Sequence, residues 1–582
     1  MSENQNKCVC SIGGQALIEG VMMQSKTTQA LAVKNDEGFV EVKTRRLKPM
    51  KIIGKIPLIR GCVAFIRSLI SGMKLIYESS EVAFPDEETP GTAGMTIATL
   101  LSLVLAIGLF FVLPSVVISA IEWIFSISVD KYLVALFEGI VRILIFIVYL
   151  LLVSKLNDVK RTFMYHGAEH RTINCYESGE ELTVENVQKQ STRHNRCGTT
   201  FLFFVMITSI LIIALATYLA SLVGLGEFVT NKFTRILFRL ILLPLIAGFS
   251  YELLQWLAKM KDNKFVSVLR APGLALQRLT TYAPDDEMAK IAITAFTLVM
   301  RMDENPEMQE SNFGSYPIAK MREFIVDRLK NTDADQAEAD WILCEVLKTK
   351  RATLNGHKPL DKEQFKAVMK IVKEREKNIP LDYILGESEF YGVKIKVNEN
   401  VLIPRIDTEI VVETALKQIK DGDEVLDLMT GSGCIARAIS ENSRAIVYAS
   451  DINENAIETA KTNFSATIYH SDVFENIDKK FDVIVSNPPY IPTSVVNTLE
   501  KEVLKQPIIA LDGGENGLVL YEKIAQTLKK ALKVGGTLVL EIGYDQANSV
   551  SEIFSKYFES VQVVKDLSNN DRVVVCKNFL SE

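Results

Sequence analysis

The sequence predicts two unlike halves joined end to end. An N-terminal membrane domain with about four transmembrane helices is followed by a small helical domain and then a Rossmann-like α/β domain. Three observations carry this. Of the 582 residues 48% are hydrophobic and mean hydropathy is +0.16, too apolar for an ordinary soluble chain of this length. The excess collects in four runs between residues 96 and 257. Beyond residue 420, short β-branched runs alternate with helical patterns around a glycine loop, as in parallel α/β sheets.

Residues 1–90 read as an α+β segment. Ala30–Lys34 and Phe39–Lys43 flank Asp36-Glu37-Gly38 and predict a β-hairpin. Ile59–Ile76 has a helical pattern carrying Arg60, Arg67 and Lys74, which suits a membrane surface or a partner helix. Cys8 and Cys10 read as ordinary thiols, and eight cysteines in so long a chain make no disulfide framework. Met1–Cys10 is polar and lacks the apolar core of a signal peptide.

Residues 91–300 read as the membrane domain. Thr96–Ile121, Leu133–Val153, Phe201–Leu225 and Ile236–Leu257 are long enough for a hydrocarbon layer about 30 Å thick. Within the last, Arg239 is expected to snorkel and Glu252 to face protein. Basic residues crowd three flanks: Arg45, Arg46, Lys48 and Lys51; Lys155, Lys160, Arg161, Arg171, Lys189, Arg193 and Arg196; Lys259, Lys261, Lys264 and Arg270. The positive-inside rule puts all three in the cytoplasm, which makes this a multi-pass plasma-membrane protein with both its N-terminus and its C-terminal half cytoplasmic.

The loop over residues 155–198 contains His166-Gly167-Ala168-Glu169-His170. On a helix this spacing stacks two imidazoles one turn apart beside a carboxylate, as divalent-metal sites require. Zinc is the expected ion, held by His166, His170 and one of His194, Cys197 or Cys175. Glu169 would be a ligand or a general base on metal-bound water. The plainer alternative is a polar loop whose histidines bond backbone or lipid headgroups.

Residues 301–315 form a polar linker, 316–380 a helical domain and 381–582 the α/β domain. Val425-Leu426-Asp427-Leu428 reads as a strand, and Met429-Thr430-Gly431-Ser432-Gly433-Cys434 as a glycine loop opening a helix. Asp451 ends the next strand, where an acid can bind ribose hydroxyls, and Asp472 follows a third, where it can accept from an adenine amine. No lysine with serine or threonine closes the loop, so a nucleoside fits better than a triphosphate. The cofactor-binding candidates are Asp427, Thr430, Gly431, Gly433, Asp451, Asp472 and Asn487.

Phe481–Val485 then runs into Ser486-Asn487-Pro488-Pro489-Tyr490, a buried strand ending in a rigid extended loop. The Asn487 side-chain oxygen and the Pro488 carbonyl can accept both hydrogens of a planar nitrogen and turn its lone pair toward an electrophile. Tyr490 can pack on the target group or on a cationic methyl donor. Asn487, Pro488 and Tyr490 are therefore the catalytic candidates.

From about Ser315 onward the chain resembles the release-factor glutamine methyltransferases (HemK type). The matching segments are Pro380–Gly386, Leu402–Glu409, the glycine loop, Ser486–Tyr490, Ala510–Gly514 and Asn570–Val574. The resemblance implies a class I methyltransferase fold and S-adenosylmethionine as cofactor, contacted at Gly431, Asp451 and Asp472. It also implies peptide-chain release factors as partners, gripped by the helical domain, with the glutamine of their Gly-Gly-Gln motif held at Asn487, Pro488, Pro489 and Tyr490. Met429 departs from the glycine of many relatives, and Gln506 from their glutamate, which is expected to remove a charge near the substrate. Residues 8–290 resemble the YqhQ-like membrane proteins through Gly13–Met23, His166–Tyr176, Arg196–Thr199 and Ala271–Leu274, a family that brings no known reaction.

Two other functions fit parts of the pattern: an amino-methyltransferase of nucleic-acid bases, and a membrane scaffold with a cofactor-binding module. A net charge of −6 and the lack of a basic, aromatic-rich recognition domain argue against nucleic-acid specificity. Gly13-Gly14-Gln15 repeats the target tripeptide, but a glutamine in a folded segment is not expected to be offered as substrate.

Overall fold

The computed structural model describes residues 11–48, 56–85, 92–126, 133–195, 197–231, 234–260, 264–332 and 334–580. Cys8, Cys10, Lys51, Arg196 and Lys261 lie outside them. The chain divides into two units at Tyr316/Pro317.

The first unit contains strands β1 (Gly13–Leu17), β2 (Gly20–Gln24), β3 (Thr28–Lys34) and β4 (Val40–Arg46). Its main helices are α1 (Ile59–Ala83), α2 (Thr92–Ile107), α3 (Leu113–Phe125), α4 (Val134–Val153), α5 (Asn157–Glu177), α6 (Gly198–Leu222), α7 (Thr234–Lys259), α8 (Lys264–Thr280) and α9 (Asp286–Glu304).

The strands form an antiparallel meander in chain order. The expected β3–β4 hairpin is there, its turn tied by Asn35 Oδ1 accepting from Phe39 N at 2.9 Å. The β1–β2 hairpin was not foreseen. Leu17 pairs with Gly20 across a two-residue turn in which Glu19 takes a left-handed φ of 49°. Both faces of the sheet are covered, and for that reason β2 and β3 are nearly continuous apolar runs. Leu17, Met22, Leu31 and Val33 pack on Leu75 and Ala83 of α1. Val21, Met23, Ala30 and Ala32 pack on α5 and α9 through Tyr165, Ala168, Ala292 and Phe296.

Among the described residues four helices are long and apolar enough to cross a membrane: Thr96–Phe125, Val134–Val153, Gly198–Leu222 and Thr234–Leu257. The first contains Pro114, which has no N–H to give to the Phe110 carbonyl four residues back. The helix widens there into a π turn, Gly108–Val112, and Arg142 Nε of α4 donates to the Phe110 oxygen at 2.8 Å. Arg142 also reaches Ser209 Oγ on α6 at 3.2 Å.

Arg239 does not snorkel. It is 2% exposed and pairs with Glu138 on α4, which also meets Arg235 at 3.2 Å and accepts from Ser115 Oγ at 2.7 Å. A charge one turn inside an apolar helix has this lower-cost option whenever a neighbouring helix offers the opposite charge. Glu252 faces protein as expected, accepting from Arg60 Nε at 2.6 Å. Helix α1 thus has a helical partner, α7. Gly61 and Gly248 let the two backbones touch, since a Cβ on Gly248 would lie 2.6 Å from the Leu58 carbonyl.

The polar stretch after α9 is not a free linker. Thr44 N donates to Ser311 O at 3.0 Å, Gly314 N to Glu41 at 2.8 Å and Tyr316 OH to Glu41 at 2.7 Å, so it lies along β4.

The second unit opens with α10 (Ile318–Arg328), α11 (Gln336–Leu347) and α12 (Lys362–Arg375), whose buried faces include Met321, Ile325, Ile342, Leu343 and Val368. A short hairpin, β5 (Glu387–Phe390) and β6 (Val393–Lys396), leads into a seven-stranded sheet. Its strands are β7 (Glu424–Leu428), β8 (Ile446–Asp451), β9 (Ile468–His470), β10 (Phe481–Ser486), β11 (Leu532–Glu541), β12 (Phe558–Lys565) and β13 (Asp571–Phe579). The spatial order is β12-β13-β11-β10-β7-β8-β9, parallel except for β13, which is antiparallel to both neighbours. The chain reverses its direction of winding between β7 and β10, so the loops leaving these two strands face one crevice.

Removing Glu138 strips Arg235 and Arg239 of their partner inside the apolar helices. Glu138→Ala should destabilise the membrane helices by about 3–5 kcal/mol, read as a lowered unfolding midpoint in mixed micelles. Glu138→Leu/Arg239→Leu should recover much of the loss; equal loss in both variants would show that the pair is not what matters.

Candidate functional site

At the crevice the loop after β7 turns sharply: Met429 takes a φ of 61°, a left-handed conformation that side-chain-bearing residues seldom adopt. Asp427 ends fully buried below the loop, and its Oδ2 accepts from Thr430 Oγ1 at 2.5 Å and Ala436 N at 3.0 Å. It braces the loop and does not line the cavity, and burial raises its carboxyl to about 7. Gly433 likewise shapes the turn from outside the lining.

The cavity, about 460 Å³, is lined by Thr430, Gly431, Asp451, Asp472, Asn487 and Pro489 among others. Asp451 Oδ2 accepts from Gly431 N at 2.9 Å and Oδ1 from Asn453 N at 2.8 Å, so its carboxylate is fixed while each oxygen keeps a lone pair for a ligand. Asp472 faces the same cavity and pairs with Lys523 at 2.5 Å. Two carboxylates beside an exposed backbone loop suit ribose hydroxyls, an exocyclic amine and a nearby positive charge.

The Asn487 amide is oriented by a contact that the sequence did not reveal: Asn487 Nδ2 donates to Thr408 Oγ1 at 3.2 Å, and the Glu541 carboxyl lies beside the Thr408 hydroxyl. With Nδ2 engaged, Oδ1 is the group left to accept. Glu541, 1% exposed at the end of β11, also faces the Tyr490 hydroxyl at 3.5 Å, and its carboxyl is pushed up to about 7, chiefly by burial. Pro488 and Tyr490 flank the lining residues Asn487 and Pro489. The Tyr490 carbonyl accepts from Gln546 Nε2 at 3.0 Å, and burial raises its phenol to about 12. Thr408 lay within a segment read as motif, whereas Glu541 gave only the weak signal of an acid closing a strand. Gln506 is buried and its side-chain oxygen accepts from Ile403 N at 3.1 Å. It holds the segment before Thr408, a bond a carboxylate oxygen could also accept.

In the first unit, α5 brings His166, Glu169 and His170 to the N-terminal end of α6. One donor atom each from His166, His170 and Cys197 lies within 4.8 Å of the others. His166 Nδ1 bonds Thr280 O at 2.9 Å and His170 Nδ1 bonds Thr192 O at 2.6 Å. Both rings therefore carry their proton on Nδ1 and turn Nε2 inward, His166 Nε2 lying 3.1 Å from Cys197 Sγ. Burial holds His170 below its ordinary pKa, and hence neutral. Of the three alternatives for the remaining ligand the structure brings in Cys197. His194 turns to Glu177 at 3.3 Å, and Cys175 is buried against Val187 and Ala289.

Glu169 is 5% exposed, with a carboxyl raised to about 7 by burial and in contact with Gly14 N–H. A Cβ on Gly14 would lie 2.7 Å from the Glu169 side chain, so only glycine fits there. The neighbouring Gln15 is in β1, opposite Met22, with its amide against Gly72 of α1. The tripeptide is a strand, not an extended flexible segment.

The sheet order, the acid-lined cavity at its reversal point and the adjoining Asn-Pro-Pro-Tyr loop define an S-adenosylmethionine-dependent methyltransferase. Residues 321–386 match the PrmC N-terminal domain and 405–527 the methyltransferase small domain, while 56–302 match a protein family of unknown function, DUF1385. The release factor glutamine methyltransferase of Thermodesulfovibrio yellowstonii is 39% identical over 259 residues, 42% of this chain and 93% of that protein. The Geobacter sulfurreducens enzyme of the same name is 39% identical over 256 residues, 42% of this chain and 90% of its own length. The uncharacterized protein YqhQ of Bacillus subtilis is 30% identical over 324 residues, 53% of this chain and 98% of that protein. The chain belongs to the release factor glutamine methyltransferases through its C-terminal half and to the YqhQ family through its N-terminal half.

Thr408→Val leaves the Asn487 amide free to rotate. Methyl transfer should fall about tenfold in kcat, the loss of one buried hydrogen bond, with cofactor affinity unchanged. Thr408→Ser should restore it; a loss that appears only in the cofactor Kd would assign Thr408 to the cofactor.

Proposed function

We propose that the C-terminal unit methylates the side-chain amide nitrogen of the glutamine in the Gly-Gly-Gln motif of peptide-chain release factors. The observation that carries the reading is the Asn487 amide at the cavity wall, oriented by the hydrogen bond from its Nδ2 to Thr408 Oγ1 so that Oδ1 is left to accept. S-adenosylmethionine supplies an electrophilic methyl group. Asp451 and Asp472 hold its ribose and adenine, with Thr430 and Gly431 supplying the loop above them. Asn487 Oδ1 and the Pro488 carbonyl accept the two N–H hydrogens of the target amide, which frees its lone pair and stabilises the nitrogen as it pyramidalises. Pro488 and Pro489 keep the loop rigid, and Tyr490 backs it. The helical segment 316–380 grips the release factor.

The basic flanks support a topology with the N-terminus and the methyltransferase in the cytoplasm and the four apolar helices in the plasma membrane. The paired imidazoles and thiolate of the first unit support a second reading: His166, His170 and Cys197 hold a divalent ion, zinc by the softness of the thiolate.

Radiolabelled methyl donor offered to release factor and to DNA should label the protein alone; label on DNA would assign the rival substrate, and no label a binding module. Asn487→Ala should lower turnover at least about 100-fold, roughly 3 kcal/mol, with cofactor binding unchanged. Asp451→Ala should weaken cofactor binding about tenfold or more in calorimetry, because a charge-assisted hydrogen bond contributes about 1.5–3 kcal/mol. Normal affinity in that variant would move the ribose site elsewhere.

A further inference from the structure

Three protein donors is the number that catalytic zinc sites use, with the fourth position left to water or substrate; structural sites close all four with protein. Among the described residues His166, His170 and Cys197 stand as a group of three. Beside them, on a cavity of about 540 Å³, lies Glu169. One of its carboxylate oxygens has no hydrogen-bond partner, although the side chain is almost wholly buried. An orphaned buried oxygen of this kind is costly unless a ligand or a bound water completes it.

The lining indicates what would enter. The described residues around this cavity include no lysine or arginine side chain of the kind that grips a phosphate. They combine the hydroxyls of Ser68, Thr162 and Thr199 with the apolar surfaces of Phe163, Ile173 and Leu202. Cys197 caps α6, itself long and apolar enough to span a membrane, so the donors sit at the end of an apolar helix. An uncharged, partly apolar carbonyl compound is the complement.

Resting on the metal reading above, we propose that the N-terminal unit is a hydrolase of carboxylic amides or esters of amphiphiles at the membrane surface. Glu169 accepts a proton from water polarised at the metal, and the water oxygen bonds to the carbonyl carbon. The C–N or C–O bond then breaks, and Glu169 delivers that proton to the leaving nitrogen or oxygen. One water is consumed and nothing is oxidised or reduced.

The test uses the full chain in detergent, stripped with chelator and reloaded with cobalt(II), whose visible bands report coordination and whose thiolate charge-transfer band reports Cys197. Cobalt should bind, and the charge-transfer band should vanish in Cys197→Ser. Acetohydroxamate, which mimics a hydrated carbonyl, should shift the bands, whereas inorganic phosphate at equal concentration should not. Glu169→Gln, nearly the same shape, should bind cobalt equally but hold hydroxamate about tenfold more weakly. Cys8→Ser/Cys10→Ser should leave the spectrum unchanged. Bound cobalt that is indifferent to hydroxamate, or a spectrum altered by losing Cys8 and Cys10, would make the site closed and structural and overturn the proposal. Displacement by phosphate as readily as by hydroxamate would overturn the substrate class. Wild type that takes up no more cobalt than His166→Ala/His170→Ala would overturn the metal reading itself.

Discussion

The parallel pairing of β10 with β7 is the constraint on which the methyltransferase depends. Val485 lies opposite Asp427 and Ser486 opposite Leu428, and Ser486 Oγ closes the end of the pair by donating to Leu428 O at 2.6 Å. In-register parallel strands must end on the same side of a sheet. The glycine loop that lines the cavity and the Asn-Pro-Pro-Tyr loop beside it are thereby held to one another by backbone hydrogen bonds. Both faces of β10 are buried, Phe481 and Ile484 packing on one side of the sheet and Val483 and Val485 on the other, so a slip of one residue would exchange the two sets between differently shaped cores.

A comparable economy holds in the first unit, where polar groups are tolerated because each is completed by a neighbouring helix. Glu138 with its arginines, Arg142 with a freed carbonyl, and Arg60 with Glu252 each join two helices. Within an apolar medium such links are directional where dispersion is not, and they fix which helices become neighbours. The same logic orders the histidine cluster, in which two backbone carbonyls choose the face each imidazole presents.

Much of this was legible in the sequence because period and punctuation are local. The four apolar runs, the β3–β4 hairpin and the sequence of strand, glycine loop, acid and Asn-Pro-Pro-Tyr are each written within a few residues. What escaped reading depends on distant partners. Arg239 looked like a snorkelling residue because nothing nearby announces Glu138, about a hundred positions earlier. The polar run after α9 looked like a linker because its hydrogen bonds go to β4. Among His194, Cys175 and Cys197 spacing alone could not choose, and Glu541 is separated from Asn487 by fifty-four residues of chain. The left-handed backbone at Met429 is of another kind, since a methionine carries no local signal for a positive φ.

A proline within a membrane helix is commonly regarded as a pivot, since the carbonyl it strands leaves the two halves free to swing. In this protein the stranded Phe110 oxygen is claimed by a guanidinium from the next span, which also reaches a third. The bend is thereby locked. Any movement that straightened the first helix would have to drag Arg142 with it, and through Glu138 and its arginines the fourth span is drawn into the same brace.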